Sequence, residues 1–235
     1  MLNISYKLKS KIMNKISLLL LVSIITILGS CATKVPMNQS FFSDKKVGIM
    51  VTVDSISTLK AGSQGLLDMA ISSGRKYKEA LQYASTVVKP KEAFQVVITN
   101  NLSAKNKPYI IVDDKINFTE FAKFSKSEDS SNNKYYKHDL RSLKDKYGVD
   151  EMIIVNIKYG LQISYYGMIE TGKAGNVIVY TDVVNLNDNS IYYKDYDQSL
   201  VNLKGKWDVS PDYKNLTTTI QAAVDDVLTK YKTKY

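Results

Sequence analysis

An apolar stretch near the N-terminus, Ile16–Cys31, constrains the rest of this chain most strongly. Four lysines precede it, and no acidic residue occurs before Cys31. A basic start, an apolar run of about 7–15 residues and small residues at its end are typical of a secretory signal peptide. The run is too short for a spanning helix, which needs roughly 20 apolar residues. The sequence therefore predicts a signal peptide over residues 1–30, with translation starting at Met1 or Met13.

The end of the stretch, Leu28-Gly29-Ser30-Cys31, resembles the lipobox of bacterial lipoproteins. In that family the bond before the cysteine is cut, and the cysteine then carries acyl chains such as palmitate. Two or more chains give durable anchoring, because each buried CH₂ contributes ~0.8 kcal/mol. The resemblance implies that Cys31, the only cysteine of the chain, is the lipid attachment site. The alternative is an ordinary signal peptide with a chance cysteine.

The residues after Cys31 bear on localisation. Ala32 stands where an aspartate would, by resemblance to enteric lipoproteins, favour the inner membrane. No acidic run resembling a surface-export signal follows. We therefore expect a lipid anchor in the outer membrane, with the domain facing the periplasm.

The charge of the mature chain argues against nucleic acid as a partner. Removal of the four signal-peptide lysines lowers the formal net charge from +9 to +5. Nucleic-acid binding needs a more basic and more clustered charge. We expect the membrane, other envelope proteins or a second copy of the chain as partners.

Hydrophobic periodicity predicts an α/β fold with a mixed sheet flanked by helices. Residues 31–45 are polar and predict a lipidated tether, and residues 46–235 predict one periplasmic domain. The predicted element order is β-α-α-β-α-β-β-β-β-α. The strands are expected at 46–53, 109–113, 150–159, 161–169, 176–185 and 190–203, and the helices at 63–88, 91–104, 135–147 and 212–231.

Four segments carry a resemblance to a known family. They are a buried first strand (46–53), a helix ending in Tyr-Gly-Val-Asp before a strand (139–157), a strand–turn–strand unit ending in Tyr-Tyr (176–193) and a closing helix (213–228). This pattern is similar to the curli-secretion-lipoprotein-like fold, which includes the lipoprotein activators of penicillin-binding proteins. The resemblance implies binding of other envelope proteins without catalysis. The chain departs from the curli pore subunit, because 117–137 and 161–175 do not alternate well enough for a spanning hairpin.

The sequence offers no catalytic or metal-binding constellation. His138 is the only histidine, and its neighbour Asp139 faces elsewhere on a predicted helix. The carboxylate pairs Asp113-Asp114, Asp195/Asp197 and Asp225-Asp226 are expected to be solvated, although Asp195 and Asp197 share a strand face that could bind a cation. We expect no enzyme, no cofactor and no metal.

Aromatic residues supply the candidate interaction surface. Exposed Trp and Tyr mark protein interfaces and sugar platforms, and Trp207, Tyr165 and Tyr166 form the most suggestive set. The alternative to an exposed Trp207 is that this residue packs under the last helix. The sequence predicts a non-catalytic assembly, scaffolding or regulatory accessory that acts by protein–protein binding. A glycan- or peptidoglycan-binding module is the alternative, and a hydrolase is the least favoured reading.

Overall fold

The computed structural model describes residues 34–61, 75–114, 116–125, 134–167 and 169–234. The predicted signal peptide and Cys31 lie outside these residues. The strands are β1 (Val47–Val53), β2 (Ser57–Ala61), β3 (Tyr109–Ile111), β4 (Glu151–Tyr166), β5 (Ile169–Asn185) and β6 (Ile191–Asn202). The helices are α1 (Arg75–Val87), α2 (Pro90–Ala104), α3 (Ser142–Tyr147) and α4 (Lys214–Tyr231). The predicted α/β class with a mixed sheet is confirmed.

The sheet has the strand order β3-β1-β4-β5-β6, and β2 continues beside β4 beyond the end of β1. Strands β1 and β3 are parallel, and β1 and β2 both run parallel to β4. The long β4–β5 and β5–β6 pairs are antiparallel. Strand β1 lies inside the sheet and is buried over its first five residues, which agrees with its β-branched, apolar sequence.

The two faces of the sheet are covered differently. One face packs against α1, α2 and α4, where Phe94 of α2 meets Tyr231 of α4 with ring centroids 4.8 Å apart. On the other face a smaller cluster covers only the end of the sheet where β4 begins, and it includes Met152, Leu140 and Leu143. The rest of that second face carries no helix among the described residues.

Strand β4 corrects two of the predicted elements. The predicted strands at 150–159 and 161–169 are one continuous strand, which ends at Tyr166, and residues 171–175, between two predicted strands, belong to β5. Gly160 lies in the middle of β4 with φ +152°. A Cβ at this position would lie 1.9 Å from the Ser57 carbonyl oxygen. The glycine therefore allows β2, which lies between the first predicted strand and the first predicted helix, to pair with β4.

The predicted helix at 135–147 is also shorter than expected, because only Ser142–Tyr147 is helical. The side chain of Asn189 accepts a hydrogen bond from the Leu140 N–H at 3.0 Å. Its amide also donates to the carbonyls of Tyr136 and His138, both at 3.0 Å. These three bonds hold residues 136–140 in a non-helical conformation that local propensity does not reveal.

The predicted tether at 31–45 is wrong for its described part, which begins at Lys34. Val35 pairs with Lys194 of β6, and Phe41 is fully buried in the core. The buried Lys107 donates to the carbonyls of Ser43 and Lys45 at 3.2 and 3.0 Å. Because Phe41 contributes apolar burial, the segment folds onto the domain instead of linking it loosely.

Candidate functional site

The uncovered part of the second sheet face is a surface of the described chain where a partner could contact the sheet directly. Among the side chains that alternation and strand register place on it, nine form its middle part. We call this middle part the open face. It consists of Asn156, Lys158 and Gln162 of β4, Asn176, Ile178 and Tyr180 of β5, and Tyr196, Gln198 and Leu200 of β6.

A ladder of amide side chains crosses the open face. Asn176 Nδ2 donates to Gln162 Oε1 at 2.8 Å, and Gln198 Nε2 donates to Asn176 Oδ1 at 3.1 Å. The Tyr196 hydroxyl donates to Gln198 Oε1 at 2.8 Å. Because its neighbours flank it on both sides, Asn176 is only 1% exposed. The ladder fixes these side chains before any partner arrives, which lowers the entropic cost of binding.

A pair of tyrosines lies beside the ladder. The rings of Tyr180 and Tyr196 have centroids 5.2 Å apart and are tilted by 57°. Tyr180 is 42% exposed and Leu200 is 50% exposed. Burial is the main cause that raises the pKa of the Tyr196 hydroxyl, and Tyr180 adds to it. The surface thus combines half-exposed rings with neutral polar groups.

Asp182 marks the border between the open face and the covered end of the sheet. Burial raises the pKa of its carboxyl, and Lys194 on the neighbouring strand partly opposes this. Its Oδ1 has no hydrogen-bond partner among the described residues. Burial and Asp182 together also raise the pKa of Tyr136 on the same face.

The structure separates the three aromatic residues that the sequence singled out. Tyr166 is 80% exposed near the β4–β5 connection. Tyr165 is buried on the helix-covered face, which it reaches because adjacent strand residues point in opposite directions. Trp207 is partly buried, and its ring centroid lies 4.6 Å from that of Tyr77, which is on α1 and not on the last helix. The three therefore do not form one exposed strip.

Asp195 and Asp197 are not solvated, contrary to expectation. Lys234 forms ion pairs with both carboxylates, and Lys34 lies 2.6 Å from Asp195. Burial works to raise the pKa of Asp195, but hydrogen bonds from Lys234, Lys34 and Tyr193 lower it well below its usual range. The chain's own lysines thus occupy the place that a cation would take.

The other two carboxylate pairs are exposed, as predicted. Asp113 pairs with Lys91 at 2.9 Å, and Asp114 pairs with Lys146 at 3.1 Å. These contacts, led by hydrogen bonds from Lys91 and Tyr147 respectively, lower the pKa of both carboxyls.

His138 is half-buried, with Nδ1 3.1 Å from the Phe121 carbonyl oxygen. Within the described parts of the chain, no group of three or more His, Cys, Asp or Glu side chains is arranged to hold a metal ion. None of the described helices is long and apolar enough to span a membrane.

The open face was not predicted from the sequence, although the sequence contains one signal for it. In β6 the polar residues occur on both sides of the strand, a pattern that favours an edge position. The strand is indeed at the edge. One side of β6 carries Asp195 with its ion pairs, and the other side carries Gln198 of the uncharged amide ladder.

Comparisons with known proteins give structural likenesses at low sequence identity. No protein-family model matches the chain, and no curated protein matches its sequence. A point variant of the PelC dodecamer of Paraburkholderia phytofirmans is 7% identical, with 86% of this chain and 94% of that chain covered and a TM-score of 0.31. Lipoprotein GNA1162 of Neisseria meningitidis is 10% identical, with 78% and 99% covered and a TM-score of 0.32. Protein XCC0632 of Xanthomonas campestris, of family DUF330, is 6% identical, with 84% and 88% covered and a TM-score of 0.39. These values assign no family to the chain.

Proposed function

We propose that this chain is a lipid-anchored protein of the bacterial cell envelope that works without catalysis. Its open face binds another envelope protein, and the domain acts as an assembly, scaffolding or regulatory accessory. Acyl chains on Cys31 hold it in the outer membrane, facing the periplasm.

The observation that supports this proposal is the composition of the open face. Of its nine side chains only Lys158 is charged, and two are tyrosines. The cores of protein interfaces are depleted in charge and enriched in tyrosine, whereas ordinary surfaces are rich in Lys, Glu and Asp. A sheet face of this composition, without a helix over it in the described part of the chain, suits a protein partner.

A matched pair of charge substitutions tests the open face. Leu200 and Val96 are 50% and 56% exposed, so a glutamate at either position costs little folding stability. Leu200 lies on the open face, whereas Val96 lies on α2 over the opposite face. We expect Leu200→Glu to lose a partner that co-purifies from envelopes with the wild type and with Val96→Glu. Equal retention by both variants would contradict the proposal.

The anchor has its own test. We expect Cys31→Ala to move the protein out of the membrane fraction, because no acyl chain can then be attached. The wild type should stay in that fraction after high-salt washing, which removes proteins held by charge alone. A Cys31→Ala protein that remains in the membrane fraction would contradict lipid anchoring.

The amide ladder also favours a second candidate, a glycan-binding module. Asn and Gln side chains can donate to and accept from sugar hydroxyls. The tilted Tyr180–Tyr196 pair offers no flat stacking platform, however, and the ladder amides already bond to one another. Co-sedimentation with purified peptidoglycan that Leu200→Glu abolishes would favour this candidate over a protein partner.

A further inference from the structure

The N-terminal segment of the described chain lies along the outer edge of β6. Val35 and Lys194 exchange two backbone hydrogen bonds, at 2.9 and 3.0 Å. The Asn38 N–H donates to the Tyr192 carbonyl at 2.8 Å. The segment therefore extends the sheet by a short antiparallel pairing, and its path is fixed from Lys34 onward.

Both ends of the described chain meet at this edge. Lys34 pairs with Asp195, and Lys234 pairs with Asp195 and Asp197. Lys230 Nζ lies 3.4 Å from the Gln198 carbonyl oxygen of β6. We call the surface formed by Lys34, Lys230, Lys232 and Lys234 together with Asp195 and Asp197 the anchor edge.

The anchor edge has more basic than acidic groups. The side chains of Lys34 and Lys230 are 61% and 47% exposed, and Lys232 is also exposed. Asp226 lies 3.5 Å from Lys230 and is 54% exposed, so one acidic group beside these lysines also faces solvent. Asp195 and Asp197 are mostly buried by their ion pairs, at 10% and 12% exposure. The groups that face solvent are therefore mainly lysines. Lysines next to a membrane attract anionic lipid headgroups.

Cys31 is close to the start of this edge in the sequence. Only Ala32 and Thr33 separate Cys31 from Lys34. Three residue steps span at most about 10 Å, even when fully extended. A lipid on Cys31 would thus hold the anchor edge next to the bilayer surface.

We propose that the anchor edge is a membrane-contact surface that binds anionic lipid headgroups. The inference rests on the proposed lipid anchor at Cys31. The sheet then stands edge-on to the bilayer, with β6 towards the lipid and β3 away from it. In this orientation the open face is perpendicular to the membrane and stays accessible to another envelope protein.

A pair of labelled variants of the acylated full-length protein tests the orientation. Because Cys31 is the only cysteine and its sulfur carries the lipid, an added cysteine is the only free thiol. A fluorophore is placed at Thr233→Cys beside the anchor edge or at Ile111→Cys on β3, about 19 Å away across four strand spacings. The protein is reconstituted into phosphatidylethanolamine–phosphatidylglycerol vesicles that contain a headgroup-linked quencher.

We expect the Thr233→Cys label to lose a larger fraction of its emission than the Ile111→Cys label. The difference should shrink when a ten-residue Gly-Ser insertion between Thr33 and Lys34 lengthens the link. It should also shrink when phosphatidylcholine replaces the anionic lipid. Vesicle-bound protein with equal quenching at both positions would overturn this inference alone. Acylated protein that does not float with the vesicles would overturn the proposed anchor as well.

Discussion

The buried ion pair between Lys107 and Glu151 makes a sharp prediction about stability. Their side chains are 2% and 0% exposed, and Lys107 Nζ lies 2.7 Å from a Glu151 carboxylate oxygen. The ammonium also lies 4.4 Å from the centre of the Phe41 ring. Lys107→Met keeps the aliphatic length but leaves Glu151 buried without its counter-charge.

The cost of this substitution follows from what the carboxylate loses. Breaking a buried ion pair by removing one partner destabilises a protein by about 3–5 kcal/mol. A domain of this size has roughly 5–15 kcal/mol of stability in all, so the loss is a large share. Removing both charges in Lys107→Met/Glu151→Leu should recover most of it, because an apolar pair of similar volume is often as stable as the ion pair.

The pH dependence of the single variant has a definite sign. Burial raises the pKa of Glu151, and Lys107 counteracts this. Without Lys107 the pKa of the folded state rises further above the unfolded value, so the folded state binds the proton more tightly. The variant should therefore recover stability as the pH falls from 7 to 5, because protonation neutralises the buried group.

Urea denaturation followed by circular dichroism measures these differences in the mature chain carrying Cys31→Ser. Linear extrapolation gives the free energy of unfolding for wild type, single and double variants at pH 7 and pH 5. A single variant within about 1 kcal/mol of wild type at pH 7, or a double variant as unstable as the single one, would refute the ion-pair reasoning.

Two further predictions concern the β4–β5 region. Gly160→Ala should destabilise the domain by about 2–4 kcal/mol, because its Cβ meets the Ser57 carbonyl. Gly172→Ala is the control and should change the urea midpoint little, because nothing lies within 4 Å of a Cβ at that position. Similar midpoints for the two variants would contradict the close β2–β4 approach. At Glu170 burial works to raise the pKa, but hydrogen bonds from Lys173, Tyr77 and Lys76 lower it to about 2. The stability that Glu170 contributes is present above its unfolded pKa near 4.5 and is lost as the pH falls towards 2. The difference in free energy of unfolding between wild type and Glu170→Gln should therefore shrink by about 1 kcal/mol between pH 6 and pH 3, a value reduced for solvent screening. A difference that does not change with pH would contradict these contacts.

The regular elements with strong periodicity could be predicted from the sequence. The stripe that predicts the last helix includes Leu216, Ile220, Ala223 and Val227, and all four are fully buried. The β-branched run of β1 likewise predicts a strand covered on both faces. In these segments the local pattern and the tertiary environment favour the same structure.

Elements defined by distant contacts could not be predicted. Strand β2 has only five residues, and its pairing depends on Gly160, about a hundred positions later in the chain. Residues 136–140 show a helical stripe, but the Asn189 side chain binds their backbone groups in another conformation. Tertiary hydrogen bonds override local propensity at both places.

The candidate site was harder to predict than the fold. Aromatic residues suggested a surface at Trp207, Tyr165 and Tyr166, but strand alternation buries Tyr165, and Tyr77 packs against Trp207. The open face depends on the register between β4, β5 and β6, which brings Gln162, Asn176 and Gln198 together. Side chains that are 14 and 22 positions apart show no joint pattern in the sequence.

Photo-cross-linking in intact cells tests the proposed role of the open face most directly. A photoreactive amino acid replaces Leu200 on the open face or, as the control, Val96 on α2, which has similar exposure. We predict a discrete adduct of higher mass in the membrane fraction for Leu200 and its absence for Val96. Absence of an adduct at Leu200, or the same adducts at both positions, would contradict a protein partner at the open face.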